Sequence, residues 1–279
     1  ITADPRWIGL YILLLLKKVL RKKIILWTQG VSVKHGFYPK NIRDRIKLFF
    51  FNKADSICFY TKKELTILNE HLFNPKLFYI NNTLDVNKIQ KIQSSIVQSR
   101  DKIKEKYGIK KTRCVIYCAR FIEDRKAHLL VELIDMMKEE DIFFIIIGGG
   151  NYKPDFNNFN NVLDFDSLYD EKIKAELFLI ADVSFQPAWT GLSVVESFAR
   201  GVPYITLKKG QDLYQCVEYN YIVDNFNGFI CDDLFQVRDR IINTTNNELK
   251  IIKDNCIKYV NKELSLSSMV NRFVKGINR

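Results

Sequence analysis

Apolar and polar positions fall into two kinds of block along this chain. Unbroken runs rich in β-branched and aromatic residues predict buried strands: IILW (24–27), ADSICFYT (54–61), KLFYI (76–80), RCVIYCARF (113–121), DIFFIII (141–147), ADVSFQPA (181–188) and VPYITL (202–207). NVLDFDS (161–167) and GFICDD (228–233) read as shorter strands. Apolar residues at helical spacing predict helices over 7–20, 42–52, 62–72, 127–139 and 170–180, with a further one near 212–221 and a largely helical tail from 236. Strands that alternate with helices in this way predict an α/β fold with parallel sheets. The regular βα units after residue 113 predict a doubly wound, Rossmann-like domain.

Between these regions, residues 88–111 form a charged helix and linker, a break in composition that puts a domain boundary near 85–95. Segments 1–90, 91–235 and 236–279 are the expected parts. Three strands before the break are few for a stable domain, and the chain opens on Ile1 rather than Met, so the N-terminal unit is expected to be incomplete. The apolar run 11–16 is too short to span a bilayer, and no charged start with a small-residue cleavage site marks a signal peptide.

Composition narrows the partners. A hydrophobic content of 47% with 13% aromatics suits a globular core, and a net charge of +11 suits either an anionic partner or a lysine-rich solvated surface. The basic residues are scattered, with no zinc finger, basic zipper helix or RNA motif, so no nucleic-acid partner is expected. The six cysteines show no CxxC spacing or nearby His cluster, which fits a reducing cytoplasm and no structural metal. LYILLLLKKVLRKK (10–23) joins an apolar face to a basic cluster, as interfacial helices do. A peripheral contact with the inner face of the cell membrane is therefore expected, beside the plainer reading of a helix that covers the sheet.

Candidate chemistry gathers at predicted carboxyl ends of strands, where open α/β sheets bind ligands. QPAWTGLSVVESFARGVP (186–203) reads as a strand end, a Gly loop and a helix from about Gly191, stopped by Gly201 and Pro203. The amides of Gly191, Leu192 and Ser193 would face a phosphate, although such turns also occur without ligands. Arg120, Arg125 and Lys126 after the 113–121 strand suit a diphosphate, or else a solvated turn. Gly148–Gly150, with Gly149 at its centre, brings backbone close to a ligand or makes a tight turn. Glu218 lies at another strand-to-helix passage. No GxGxxG opens a βαβ unit, no GxxxxGK[ST] is present, and Ser193 is not in a GxSxG elbow. His71 and His128 lie on helix flanks and read as structural or solvated, and His35, in a Gly-bordered loop, is a faint candidate.

Taken in order, CARFIEDRKAHLLVELI, ADVSFQPAWTGLSVVESFARGVPYIT and VEYNYIVDNFNGF resemble the C-terminal half of GT-B glycosyltransferases of the family 4 group. FNKADSICFYTKKEL and INNTLD resemble the end of that family's N-terminal domain and its crossing. The resemblance extends over about residues 20–260 and implies two Rossmann-like domains, the N-terminal one on the acceptor side and the C-terminal one holding a UDP- or GDP-linked sugar. The last helices would fold back toward the N-terminal domain. Arg120 matches the family's diphosphate arginine, Arg125 its lysine, and Lys126 a position often occupied by glycine. Glu196 matches the glutamate that contacts the ribose, and Glu218 with Asn227 and Gly228 resembles a segment near the donor.

There are departures. Ala188 stands where the family has a first glutamate, and Gln29 in LWTQG stands where relatives often carry a histidine facing the transferred sugar. The implied activity is retaining, metal-independent transfer from a nucleotide-sugar to a glycan or lipid-linked acceptor in cell-surface polysaccharide synthesis, with no further cofactor. Because glutamine cannot exchange a proton and one carboxylate is missing, a degenerate glycosyltransferase kept as a scaffold is the alternative.

Overall fold

The computed structural model describes residues 1–3 and 7–278, which form two compact units, Ile1–Thr83 with Leu266–Arg279, and Leu84–Ser265. The first unit opens with α1 (Ile8–Leu16), β1 (Ile25–Thr28), α2 (Ile42–Phe51), β2 (Ser56–Phe59), α3 (Lys62–Leu68) and β3 (Lys76–Tyr79). Its strands pair in parallel in the order β1-β2-β3, and residues 1–3 lie along the free edge of β1, where Ala3 N–H donates to Trp27 O (2.9 Å). Leu10 and Leu14 of α1 close on Leu26, Ile57 and Phe59. Helix α1 stops at Leu16, short of the basic run. The chain then loosens into a turn that closes with Arg21 left-handed (φ 48°) and Lys22 N–H on Lys17 O (3.2 Å), a Schellman-type ending. The Lys17 ammonium meets Asp55 (2.8 Å) rather than the helix end.

The second unit begins with α4 (Val86–Ser94) and α5 (Arg100–Lys106). The alternating series that follows is β4 (Arg113–Cys118), α6 (Ala127–Met136), β5 (Ile142–Ile147), β6 (Val162–Phe165), α7 (Glu171–Ile180), β7 (Val183–Phe185), α8 (Ser193–Ala199), β8 (Tyr204–Leu207) and β9 (Gly228–Cys231). Helices α9 (Leu234–Asn243) and α10 (Asn246–Glu263) end the unit, and α11 (Leu266–Asn278) returns to the first. All six strands are parallel, in the order β6-β5-β4-β7-β8-β9. Both faces are covered, as their unbroken hydrophobicity requires. Val115 and Tyr117 of β4 point into the core beneath α6 and α9, and Cys114 and Ile116 into that beneath α5 and α7.

The boundaries differ from the expected segments. The second unit starts at Leu84, because Asp85 caps α4 and Val86 is buried with Val195, Cys256 and Val260. Helices α9 and α10 belong to this unit, their apolar faces (Val237, Ile241, Leu249, Ile252) being spent on its core. Only α11 folds back on the first unit, with Phe273 against Phe78 of β3 (6.0 Å between ring centres). The helix expected near 212–221 is a 3-10 turn over Val217–Tyr221.

Candidate donor site

Strand order reverses between β4 and β7, so a crevice opens at their carboxyl ends, the position at which open α/β sheets bind ligands. Three loops enclose it, those after β4, β5 and β7. Behind them the segment after β8 carries Cys216, whose thiol burial pushes up to about 12 and which feels Glu218, Arg125 and Asp124.

The loop after β4 runs through a 3-10 turn, Glu123–Arg125, into α6. Arg120 is exposed and offers its backbone carbonyl to Arg125 Nη1 (2.6 Å). The Nε of Arg125 is buried without a hydrogen-bond partner, and so is the hydroxyl of Tyr117. The two side chains are neighbours: burial pushes the Tyr117 phenol up to about 12, and the Arg125 charge pulls it the other way. Buried donors without acceptors are uncommon and costly, and here two such groups stand side by side.

Lys126 has left-handed backbone (φ 53°, ψ 51°) at the position where the resemblance expects glycine. Its side chain lines an open groove with Ile122, His128, Tyr152 and Pro154. Because a Cβ there costs about 1–2 kcal/mol and glycine gives back part of that through unfolded-chain entropy, Lys126→Gly is expected to stabilise the protein. A gain of about 0.5–1 kcal/mol in urea unfolding is the expected reading.

The glycines after β5 make a tight turn, the second of the two readings that the sequence left open. A Cβ on Gly148 would lie 2.1 Å from Ala119 O and one on Gly150 2.1 Å from Phe121 O, while Gly149 faces Ser167 Oγ at 2.6 Å. Phe121 N–H donates to Gly149 O (2.9 Å). The lack of side chains at Gly148 and Gly150 lets this loop lie against the backbone of the loop that carries Arg120 and Arg125.

The loop after β7 is held by two glutamines. Gln186 Nε2 donates to Ala188 O (2.9 Å) and Trp189 O (2.8 Å), and Trp189 is left-handed (φ 52°). Gln215 Oε1 accepts from Thr190 N and Oγ1 (3.0 and 3.1 Å), and its amide donates to Leu207 O (2.8 Å). Helix α8 therefore starts at Ser193, two residues later than Gly191, and has no side-chain cap over its first amides. Gly191 has open space where a Cβ would stand. The Ser193 hydroxyl points inward, 2.8 Å from the Tyr204 hydroxyl, and both lie within reach of Gln186 Oε1 (3.2 and 3.0 Å). Burial raises the Tyr204 phenol, and Arg125 acts on it in the opposite sense, so the β4 and β7 loops share one polar centre.

One turn further on, Glu196 is not a free carboxylate. Its Oε1 takes Arg200 Nη2 (3.1 Å) and Lys174 Nζ (3.2 Å), and the same two cations hold Glu171 (2.9 and 2.7 Å). Glu218 is only 5% exposed, inside the 3-10 turn. In the first unit Gln29 is exposed just past β1. Gly30 behind it is left-handed (φ 74°) and packed so close to Phe59 and Leu68 that any larger residue would collide.

Residues 99–259 match the family model for glycosyl transferases group 1. The chain belongs to that family. Solved structures similar to this group 1 glycosyltransferase include Anabaena Alr3699/HepE in complex with UDP, at TM-score 0.71 and 15% identity over 97% of this chain and 76% of that one. A glycosyltransferase from Rickettsia africae gives TM-score 0.67 and 16% identity over 99% of this chain and 82% of that one. WaaG, a glycosyltransferase involved in lipopolysaccharide biosynthesis, gives 0.60 and 15% over 92% and 78%. At such identities the likeness is one of fold, and that fold is GT-B. No curated protein sequence matches the chain significantly.

Of the residues singled out by sequence, the structure gathers Arg125, Gly191, Leu192, Ser193 and, one turn on, Glu196 around the switch-point crevice of this group 1 glycosyltransferase. Tyr117, Gln186, Tyr204 and Gln215 build the same centre and escaped notice, because on a strand or beside one they read as core. Their polar atoms in otherwise apolar runs were the available signal.

Proposed function

We propose that this group 1 glycosyltransferase moves a sugar from a UDP- or GDP-linked donor to a glycan or lipid-linked acceptor, with retention of anomeric configuration and without a metal, in cell-surface polysaccharide synthesis. The observation that carries this reading is the unsatisfied Arg125 Nε beside Tyr117 at the switch point. When the glycosidic bond breaks, negative charge gathers on the departing diphosphate. A fixed guanidinium and the uncapped amides at the start of α8 are suited to receive it, the electrostatic contribution that usually dominates catalysis. Arg120, which is exposed, and Lys126 would add charge from the rim. Glu196 would accept hydrogen bonds from the ribose hydroxyls, with Glu218 supporting the same subsite from beneath. Gln29 would hydrogen-bond the transferred sugar, since it has no proton to exchange. Retention rests on the family resemblance and agrees with a crevice furnished with cations and hydroxyls rather than with a free carboxylate base.

Titration calorimetry with UDP, GDP and ADP tests the donor site. One nucleotide should bind, and Glu196→Ala should weaken it by about 1–3 kcal/mol, the scale of a hydrogen bond to a charged group. Failure of all three to bind would replace this reading with a degenerate scaffold.

Membrane contact belongs to the same proposal, at the inner face of the cell membrane. Ile8, Ile12, Leu15 and Val19 are exposed beside Lys18, Arg21, Lys22 and Lys23. Tyr11 packs on Phe50 of α2, next to exposed Phe49 (54%). Apolar side chains ringed by cations fit an anionic lipid surface. No helix among the described residues is long and apolar enough to cross a bilayer. The chain should cosediment with phosphatidylglycerol vesicles and be released by salt; absence of binding at low salt would remove this part.

A further inference from the structure

Glu196 shares its surroundings with a residue that the family resemblance leaves without a role. Arg200, one turn along from Glu196 and just past the end of α8, has a side chain that is 0% exposed. Its guanidinium lies over the Phe178 ring (5.0 Å), and Nη1 donates to Gln93 Oε1 (3.1 Å). Gln93 in turn donates to Ala175 O on α7 (3.0 Å). Arg200 Nη2 holds Glu171 and Glu196 together, and Lys174 Nζ does the same from α7. Two cations thus face two carboxylates in a largely buried network that joins α4, α7 and α8. Both cations meet Glu196 at one oxygen, Oε1, and the side chain is 16% exposed. Oε2 has no hydrogen bond or ion pair among the described residues.

We propose that Lys174 and Arg200 are positioning residues that pin Glu196 by Oε1 so that Oε2 is presented to the ribose hydroxyls of the donor. This rests on the donor reading above. A glutamate has several rotors, and fixing it costs entropy each time a ligand is bound unless the protein has already done so. Two opposed charges on a single oxygen fix the side chain in advance. A hydroxyl makes a stronger hydrogen bond to a carboxylate than to a neutral acceptor. Arg200 is enclosed on every side and does not itself reach a ligand. Glu171 balances the second charge, so that neither cation is left alone in a buried place.

The experiment uses the full chain and two pairs of probes, UDP with 2′,3′-dideoxy-UDP and GDP with 2′,3′-dideoxy-GDP, read by calorimetry on the pair whose ribonucleotide binds. Lys174→Met is expected to raise the dissociation constant of the ribonucleotide about tenfold, the scale of a weakened charged hydrogen bond, and to leave the dideoxy form unchanged. Arg200→Met should do the same, and Lys174→Arg should restore binding. Adding Lys174→Met to Glu196→Ala should weaken the ribonucleotide no further than Glu196→Ala alone, the non-additivity expected of residues acting through one another. Thermal unfolding of each variant identifies those that have lost their fold, and the comparison is made on Lys174→Met if Arg200→Met proves unstable. Equal loss with both sugars, or no loss, in a folded Lys174→Met protein overturns the proposal while Glu196→Ala still supports the ribose contact. If Glu196→Ala leaves the ribonucleotide unaffected, the ribose contact itself is wrong and the proposal falls with it.

Discussion

Arg125→Met should lower kcat/KM for sugar transfer by about 100- to 1000-fold, the loss associated with removing one preorganised donor from a developing negative charge. The substitution keeps the length and apolar character of the side chain but removes the cation that acts on both Tyr117 and Tyr204. It also removes the unpartnered Nε donor and the exposed Nη1 hydrogen bond to Arg120 O, so unfolding temperature serves as the control. Arg125→Lys should recover most of the loss. A lysine carries the charge at this position of the resemblance, though without the two-pronged grip of a guanidinium. Affinity for the free nucleoside diphosphate should fall in step with turnover. Full activity in Arg125→Met would place the diphosphate elsewhere.

Gly148→Ala is expected to have the largest effect on stability. The added methyl would lie 2.1 Å from Ala119 O, and the backbone φ of 155° is one that side chains rarely accept. Unlike a side-chain neighbour, a carbonyl in a sheet-bound loop cannot rotate away. Relief would require the β5 loop to part from the β4 loop, with loss of the Phe121–Gly149 hydrogen bond. A penalty of about 3 kcal/mol or more follows from overpacking combined with backbone strain, read as a lower midpoint in urea. Any folded remainder should bind nucleotide poorly, because the loop carrying Arg125 leans on this glycine. Gly191→Ala is the matched comparison, having open space at its Cβ, and should leave stability nearly unchanged.

How much could be read from the chain differs between fold and site. The inner strands of the second unit were visible as apolar runs, because a strand covered on both faces has no polar alternation to disguise it, while the edge strand β6 (VLDF) carries the partly exposed Asp164. The order of those runs, with the family resemblance, was sufficient for the GT-B fold. Helix ends were less legible. The 7–20 segment stays apolar to Leu20, yet α1 ends at Leu16 and the chain closes in a turn with Arg21 left-handed, which no apolar spacing announces. The tail is amphipathic throughout, and sequence alone does not say which core its faces meet. At the site, Arg125 and Glu196 stood out by charge at strand ends. Their partners did not, since Tyr117 and Tyr204 are buried aromatics by pattern, and Lys174 and Arg200 look like ordinary helix-surface cations. The glycine triplet stayed ambiguous because a tight backbone-to-backbone contact and a ligand approach leave the same mark in sequence.

The return of α11 to the first unit has a consequence for how the protein is made. Residues 84–265 form one uninterrupted stretch, and domains generally fold as units while the chain emerges. The stretch before it must wait. On the ribosome, β3 comes out with the rings of Phe78 and Tyr79 uncovered, and the helix that supplies Phe273 and Arg272 to them is synthesised only after the whole second unit. The later-made unit is therefore the first able to finish folding. Until then, the earlier one exposes apolar strand surface to chaperones and to neighbouring nascent chains. Low yield and aggregation on overexpression would arise there, and slower translation through 84–265 would lengthen the exposure.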